Sequence, residues 1–277
     1  RQSYLASLIN KKSLNSGIAL NIILLNCAWF IGPNIGMFLM DLLSLQNVYF
    51  LLVFINILNL LFIVKMPSLS IPIVEKNKYA GIGKGIDFAL KNKVVLATLI
   101  IISIGNLTAF TFESMTPYFA KFIYNASPKE FSFMLSIQGL GALIGSIIFF
   151  PILIKLSRPG VTFAIATICL CIGSVSFTMT NTYLSGCINI ALLGVATTFF
   201  MNMHSRIVLS QTPNPLRGRV QGLAQLGIGF FPIGSLLVGI LGDNIGILNS
   251  MRIFSSIGII STVVVLISFR ELKNKIV

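Results

Sequence analysis

Charge is scarce in this sequence. Asp, Glu, Lys and Arg make up 10% of its 277 residues, where a water-soluble domain carries about 25%. There are seven acids, one histidine and one tryptophan. So few titratable groups leave little room for enzyme chemistry. No Cys/His/Asp cluster has metal-ligand spacing, and no glycine-rich loop of the phosphate-binding kind is present. No nucleophile stands with a histidine and a carboxylate in a hydrolytic pattern. The sequence therefore reads as a non-enzyme without cofactor or metal. The seven acids are Asp41, Glu75, Asp87, Glu113, Glu130, Asp243 and Glu271, and none falls near the centre of an apolar run.

Hydrophobic residues supply 55% of the chain, and mean hydropathy is +0.92. The charge-free runs exceed the ~20 residues that cross a bilayer as a helix. They are continuously apolar, which excludes the alternating pattern of a membrane barrel. Eight spans follow, at about 14–39, 48–64, 94–116, 131–154, 161–180, 184–203, 220–241 and 251–269. The fold class is an all-α membrane protein with eight transmembrane helices.

The net charge of +13 would suggest nucleic acid on a soluble protein. Here seventeen of the twenty basic residues fall on one side of the eight spans. By the positive-inside rule that side is cytoplasmic, both termini lie there, and topology rather than a nucleic-acid partner explains the charge. The longest polar segment, 65–93, contains a stretch from Ile82 to Leu90 that suits a short amphipathic helix at the membrane surface. Cys27, Cys169, Cys171 and Cys187 all fall in spans and read as free apolar thiols. Cys169 and Cys171, two apart, point to different helix faces.

The first span carries Ala28-Trp-Phe-Ile-Gly-Pro-Asn-Ile-Gly. Pro33 kinks a helix, a feature that membrane spans tolerate. Gly32 and Gly36, four apart, offer one smooth face to a second helix. The bland alternative is a packing kink alone. Span four carries Gly139, Gly141 and Gly145.

Among polar residues inside spans, Asn106, Gln138 and Glu113 are candidates for lining a cavity, and helix-to-helix hydrogen bonding is the alternative for the neutral ones. Glu113 is the acid nearest to a proton-carrying position. With span three ending near Pro117 it reads first as an interfacial residue. His204, at the inner end of span six, reads as interfacial too. Phe110, Phe112, Phe199, Phe200, Phe230 and Phe231 fit either an apolar cargo or packing.

The Gly-Pro span resembles the fifth helix of the major facilitator superfamily, whose exporters carry Gly-Pro-x-x-Gly-Gly there. Gly32, Pro33 and Gly36 match, while Met37 departs from the last glycine. Two stretches resemble the enterobactin-exporter and macrolide-efflux branch, the transmembrane secretion effectors. One is Pro215-Leu-Arg-Gly-Arg-Val-Gln-Gly-Leu followed by Pro232-Ile-Gly-Ser-Leu-Leu-Val-Gly-Ile-Leu-Gly-Asp. The other is the opening Arg1-Gln-Ser-Tyr-Leu-Ala-Ser-Leu-Ile.

The resemblance implies that the eight spans are helices five to twelve of a twelve-helix transporter, with the first four lacking. Residues 1–64 would be the last two helices of the N-terminal bundle, 65–93 a cytoplasmic linker and 94–277 the C-terminal bundle. It further implies that Gly32 and Gly36 meet Gly139, Gly141 and Gly145 as a gate between bundles. Arg217, Gly218 and Arg219 would be an inner gate or a loop anchor.

The function so implied is export of a small amphipathic molecule, drug- or macrolide-like, by proton antiport and alternating access. The setting would be a bacterial inner membrane, with antibiotic resistance as its outcome. The partners would be cargo, protons and lipid, and the chain a monomer. A siderophore exporter and a non-transporting remnant of a transporter are the alternatives.

Overall fold

The computed structural model describes residues 14–65, 83–155 and 158–274. The polar start at 1–12, the opening motif, most of the 65–93 linker and the last three residues lie outside them. Among the described residues every regular element is helical. Eight helical stretches are long and apolar enough to cross a membrane.

The first two spans are α1 (Leu14–Leu42) and α2 (Leu45–Val64), and the amphipathic α3 (Gly83–Lys91) follows. The third span is composite. It joins α4 (Lys93–Ile104), a π-turn at Gly105–Ala109, α5 (Thr111–Tyr118) and a second π-turn at Phe119–Ile123. Then come α6 (Pro128–Lys155), α7 (Pro159–Phe177) and α8 (Tyr183–Gln211). The seventh span is α9 (Arg217–Ile228) plus α10 (Phe231–Ile245), and α11 (Ile247–Ser268) is the eighth.

Local chemistry sets the ends. Asn92 caps α4 by accepting from the amides of Val94 and Val95, both at 3.1 Å. Thr182 and Ser185 form a reciprocal cap on α8. Gly246, at φ +85°, makes the sharp turn from α10 into α11, a backbone shape that glycine adopts without strain. Pro33 does not break α1, which runs on for 29 residues.

Span three also runs through its proline and ends at Ile123, not near Thr116. The sequence reading stopped at Pro117 because a proline ends most helices in water. In a membrane bundle the freed carbonyl is tolerated. Glu113 consequently lies ten residues inside the helix end rather than at it.

The spans from Lys93 to Ser268 pack as one bundle. Its core holds Phe112, Phe119, Phe163, Phe177 and Phe200, all with less than 2% of their surface exposed. Lipid is as apolar as these side chains, so hydrophobicity alone does not drive this packing. Close approach through small residues does. A side chain on Gly194 would strike the main chain of Gln138, and one on Gly141 would strike Ala191, so α6 and α8 touch backbone to backbone. The first π-turn is gripped in the same way. Gly234 of α10 lies against the Leu107 carbonyl, and Gly258 of α11 against Thr108.

α1 packs along α6. α2 exposes nearly its whole surface, with Val48 its one buried residue. α3 rests on the α4 and α9 ends, where Ala89, Val95, Val208 and Val220 form a small core.

Candidate functional site

α6 is the element around which the candidate site is built. On one side it meets α1 in a regular antiparallel seam. Asn26 donates through Nδ2 to the Ala142 carbonyl at 3.2 Å and to Ser146 Oγ at 2.6 Å. Asn34 Nδ2 donates to Ser136 Oγ at 2.8 Å. Ser132 Oγ donates to the Pro33 carbonyl at 2.6 Å. Between these links Gly139 lies so close to Trp29 and Phe30 that any side chain would run into their main chain. Lys129 and Asp41 close one end with an ion pair at 2.8 Å. From Asn26 to Asp41 the seam extends about 22 Å along the helix axis.

The expected glycine-to-glycine gate is therefore corrected. Gly32 and Gly36 have no atom within 4 Å of the place a side chain would start. Gly141 and Gly145 face α8, through Ala191, Val195 and Thr198. Of the five glycines, Gly139 alone meets α1. The physical reason is rotation: the face of α1 that meets α6 carries Asn26, Phe30 and Asn34, which share one stripe at i, i+4 and i+8, and the two glycines lie off it. Pro33 joins the seam through its carbonyl, which accepts from Ser132 Oγ.

The other side of α6 presents Gln138. Its Nε2 donates to Glu113 Oε1 at 3.1 Å. Glu113 lies ten residues before Ile123, and Gln138 ten residues after Pro128. Both are thus about 15 Å from the same inter-helix turn, by the helical rise per residue. The third span, Lys93–Ile123, runs 31 residues, about 46 Å, so both side chains lie inside their helices, nearer the end that Lys129 and Asp41 close. Sequence reasoning named both residues and did not pair them.

Asn106 lies elsewhere. It is buried in the first π-turn and donates to its own helix at Ile102 O, 2.9 Å. The expectation that it lines an open cavity is corrected: the side chain is buried and its amide is spent on a carbonyl of its own helix. Phe110, Phe112 and Phe200 are packing residues, buried and in ring contact, with Phe110 and Phe200 edge-on at 5.1 Å. His204 is buried as well, against Phe163 and Phe200, with Nδ1 at 2.9 Å from the Phe200 carbonyl. α8 continues to Gln211, which explains why His204 is not at the interface.

Phe230 is 40% exposed and forms, with Leu99, Ile100, Ser103, Ile104 and Leu107, an open cleft of about 290 Å³ between spans three and seven. Its wall is apolar apart from Ser103, whose hydroxyl donates to Leu99 O.

At the opposite end of the spans Arg217 Nε donates to the carbonyls of Leu209 and Thr212, at 3.1 and 3.2 Å. These are carbonyls that the end of α8 leaves open. Arg219 lies against Gly85 of α3, and Gly218 has open space around it. The four cysteines are free, Cys169 exposed and Cys171 buried, as their spacing required. No group of three or more His, Cys, Asp or Glu that could hold a metal occurs among the described residues.

Sequence reasoning missed Ser132, Ser136 and Ser146. They recur with Gly139 at steps of four, three and seven along α6, a stripe of small residues that a face-by-face reading could have found.

A search of curated proteins gives no match. The family profile described as Major Facilitator Superfamily matches residues 102–275, well over half of the chain. Its span reaches from the core of α4 to the end of the eighth span and takes in Glu113, Gln138 and α6. An all-helical, multi-pass membrane protein with this match is a member of the major facilitator superfamily, a family of membrane transporters.

Proposed function

We propose that this transporter exports a small amphipathic molecule by proton antiport, with alternating access across the α1–α6 seam. The seam carries the reading. Apart from the exposed Lys129–Asp41 ion pair at one end, its links are hydrogen bonds between neutral groups, each worth about 0.6 kcal/mol within a membrane. A contact of that kind can part and re-form while the bundle behind α6 stays whole, which rocking of two bodies requires. In this reading α1 and α2 (within residues 1–64) are helices five and six of the superfamily fold and belong to one bundle. Residues 65–93 are the cytoplasmic linker, and 94–277 form the other bundle.

The setting is a bacterial plasma membrane, with both termini and most of the basic residues cytoplasmic. Arg217 and Arg219 anchor the cytoplasmic loop to α8 and α3. The apolar cleft beside Phe230 suits a cargo with a large uncharged face. The chain works as a monomer.

The test is accumulation of ethidium, a macrolide and a catechol siderophore in cells expressing the complete gene, with and without an uncoupler. The reading expects lower accumulation of ethidium or the macrolide, abolished by the uncoupler. A siderophore-only effect reassigns the cargo. Equal accumulation of all three in expressing and control cells would favour a non-transporting protein.

A further inference from the structure

Glu113 is a titratable side chain that the seam does not use. A carboxyl buried inside a membrane span is costly and is retained where it has work to do. The ion pairs among the described residues are Lys91–Asp87, Lys93–Glu271 and Lys129–Asp41, none of which includes Glu113.

Other titratable groups on the neighbouring elements are few. Tyr118 ends α5, Lys121 lies in the second π-turn, Asp243 lies in the last turn of α10, and Cys169 and Cys171 lie on α7. Lys129 and Glu130 begin α6 and Lys155 ends it. The side-chain hydrogen bond of Glu113 goes to Gln138 instead.

Gln138 is suited to a carboxyl that changes its protonation state. An amide has a donor end and an acceptor end. Against a carboxylate its NH2 donates, as in the structure. Against a carboxylic acid, a half-turn of the amide lets Oε1 accept the O–H. Lysine or arginine would serve the first state only.

The backbone around Glu113 is equally adaptable. α5 is bounded by two π-turns, sites where helices bend. Pro117, four residues on, also withholds the N–H that the Glu113 carbonyl would accept.

We infer that Glu113 carries the transported proton and that Gln138 positions its carboxyl in both states. On the outward-open side a proton from water adds to a carboxylate oxygen and leaves a neutral acid. On the inward-open side the O–H bond breaks, the proton passes to cytoplasmic water and the carboxylate returns. No bond to the cargo forms. This inference rests on the transport reading and names its coupling residue.

The test is infrared spectroscopy of the full-length protein in lipid, titrated with acid. The carboxylic C=O band of the wild type should rise with acid. Glu113→Gln should lose one acid's worth of that band, while Asp243→Asn should keep the component that Glu113→Gln removes. Glu113→Asp should keep a titrating band, a check that does not depend on the Gln variant folding. Gln138→Leu should move the band's midpoint by about one pH unit or more, a tenfold change in proton affinity. An unchanged titrating band in Glu113→Gln overturns the inference. A Gln138→Leu midpoint equal to the wild type overturns the positioning role. The transport reading fails separately, if ethidium and macrolide accumulation ignore the uncoupler while the band still titrates.

Discussion

Removing Asn26 and Asn34 together should loosen the α1–α6 seam without damage to either helix. The double variant Asn26→Ala/Asn34→Ala deletes three hydrogen bonds, to Ala142 O, Ser146 Oγ and Ser136 Oγ. At about 0.6 kcal/mol each, the loss is about 1.8 kcal/mol, roughly a 20-fold shift toward the parted state. Alanine raises helix propensity, so the helices themselves should persist. The assay is the distance distribution between spin labels at Ser44 and Asn125, beyond the end that Lys129 and Asp41 close. The ratio of long- to short-distance populations should rise about 20-fold over the wild type. An unchanged distribution in a folded double variant would refute the view that these bonds hold the seam.

Gly139→Val should disrupt the α1–α6 contact and abolish transport, because its side chain meets the Trp29–Phe30 main chain. Gly36→Ala should leave ethidium efflux and melting temperature within error of the wild type, since the space beside it is open. Arg217→Ala should lower stability by about 1.5–3 kcal/mol through its two lost carbonyl bonds, with Arg217→Lys rescuing only in part; thermal unfolding in detergent reads both. The Lys93 ammonium hydrogen-bonded to Glu271 holds that carboxyl below the usual carboxylate range. A depressed carboxyl stabilises the fold above its ordinary value of about 4 and loses that contribution as pH falls through the lowered value. Glu271→Gln should abolish that part of the acid-side fall in melting temperature, a small part because the pair is exposed.

The eight spans were readable from the sequence because hydrocarbon demands long charge-free runs, and each run left its mark. The end of span three was not, since a proline that ends a helix in water is absorbed in a bundle, and Pro117 hid seven more helical residues up to Ile123. That error hid the depth of Glu113. Glu113 and Gln138 were both singled out as isolated polar residues. Their pairing depends on how α5 and α6 lie side by side, which periodicity does not encode. The seam was placed on the first span and span four and, Gly139 apart, assigned to residues that do not form it. Gly32 and Gly36 drew attention as a motif, whereas contact is decided by helix rotation, which set Asn26 and Asn34 toward α6 instead. Asn106 illustrates the ambiguity of polar residues in spans: its hydrogen bond is spent on its own helix.

Alternation at the α1–α6 seam is tested most directly by locking it. Asn34→Cys and Ser136→Cys place two thiols at facing positions of the seam, where the native Nδ2 and Oγ lie 2.8 Å apart. With the four native cysteines replaced, oxidation should cross-link the pair and stop uncoupler-sensitive ethidium efflux, and a reductant should restore it. Efflux that continues at the wild-type rate in fully cross-linked protein would contradict the account.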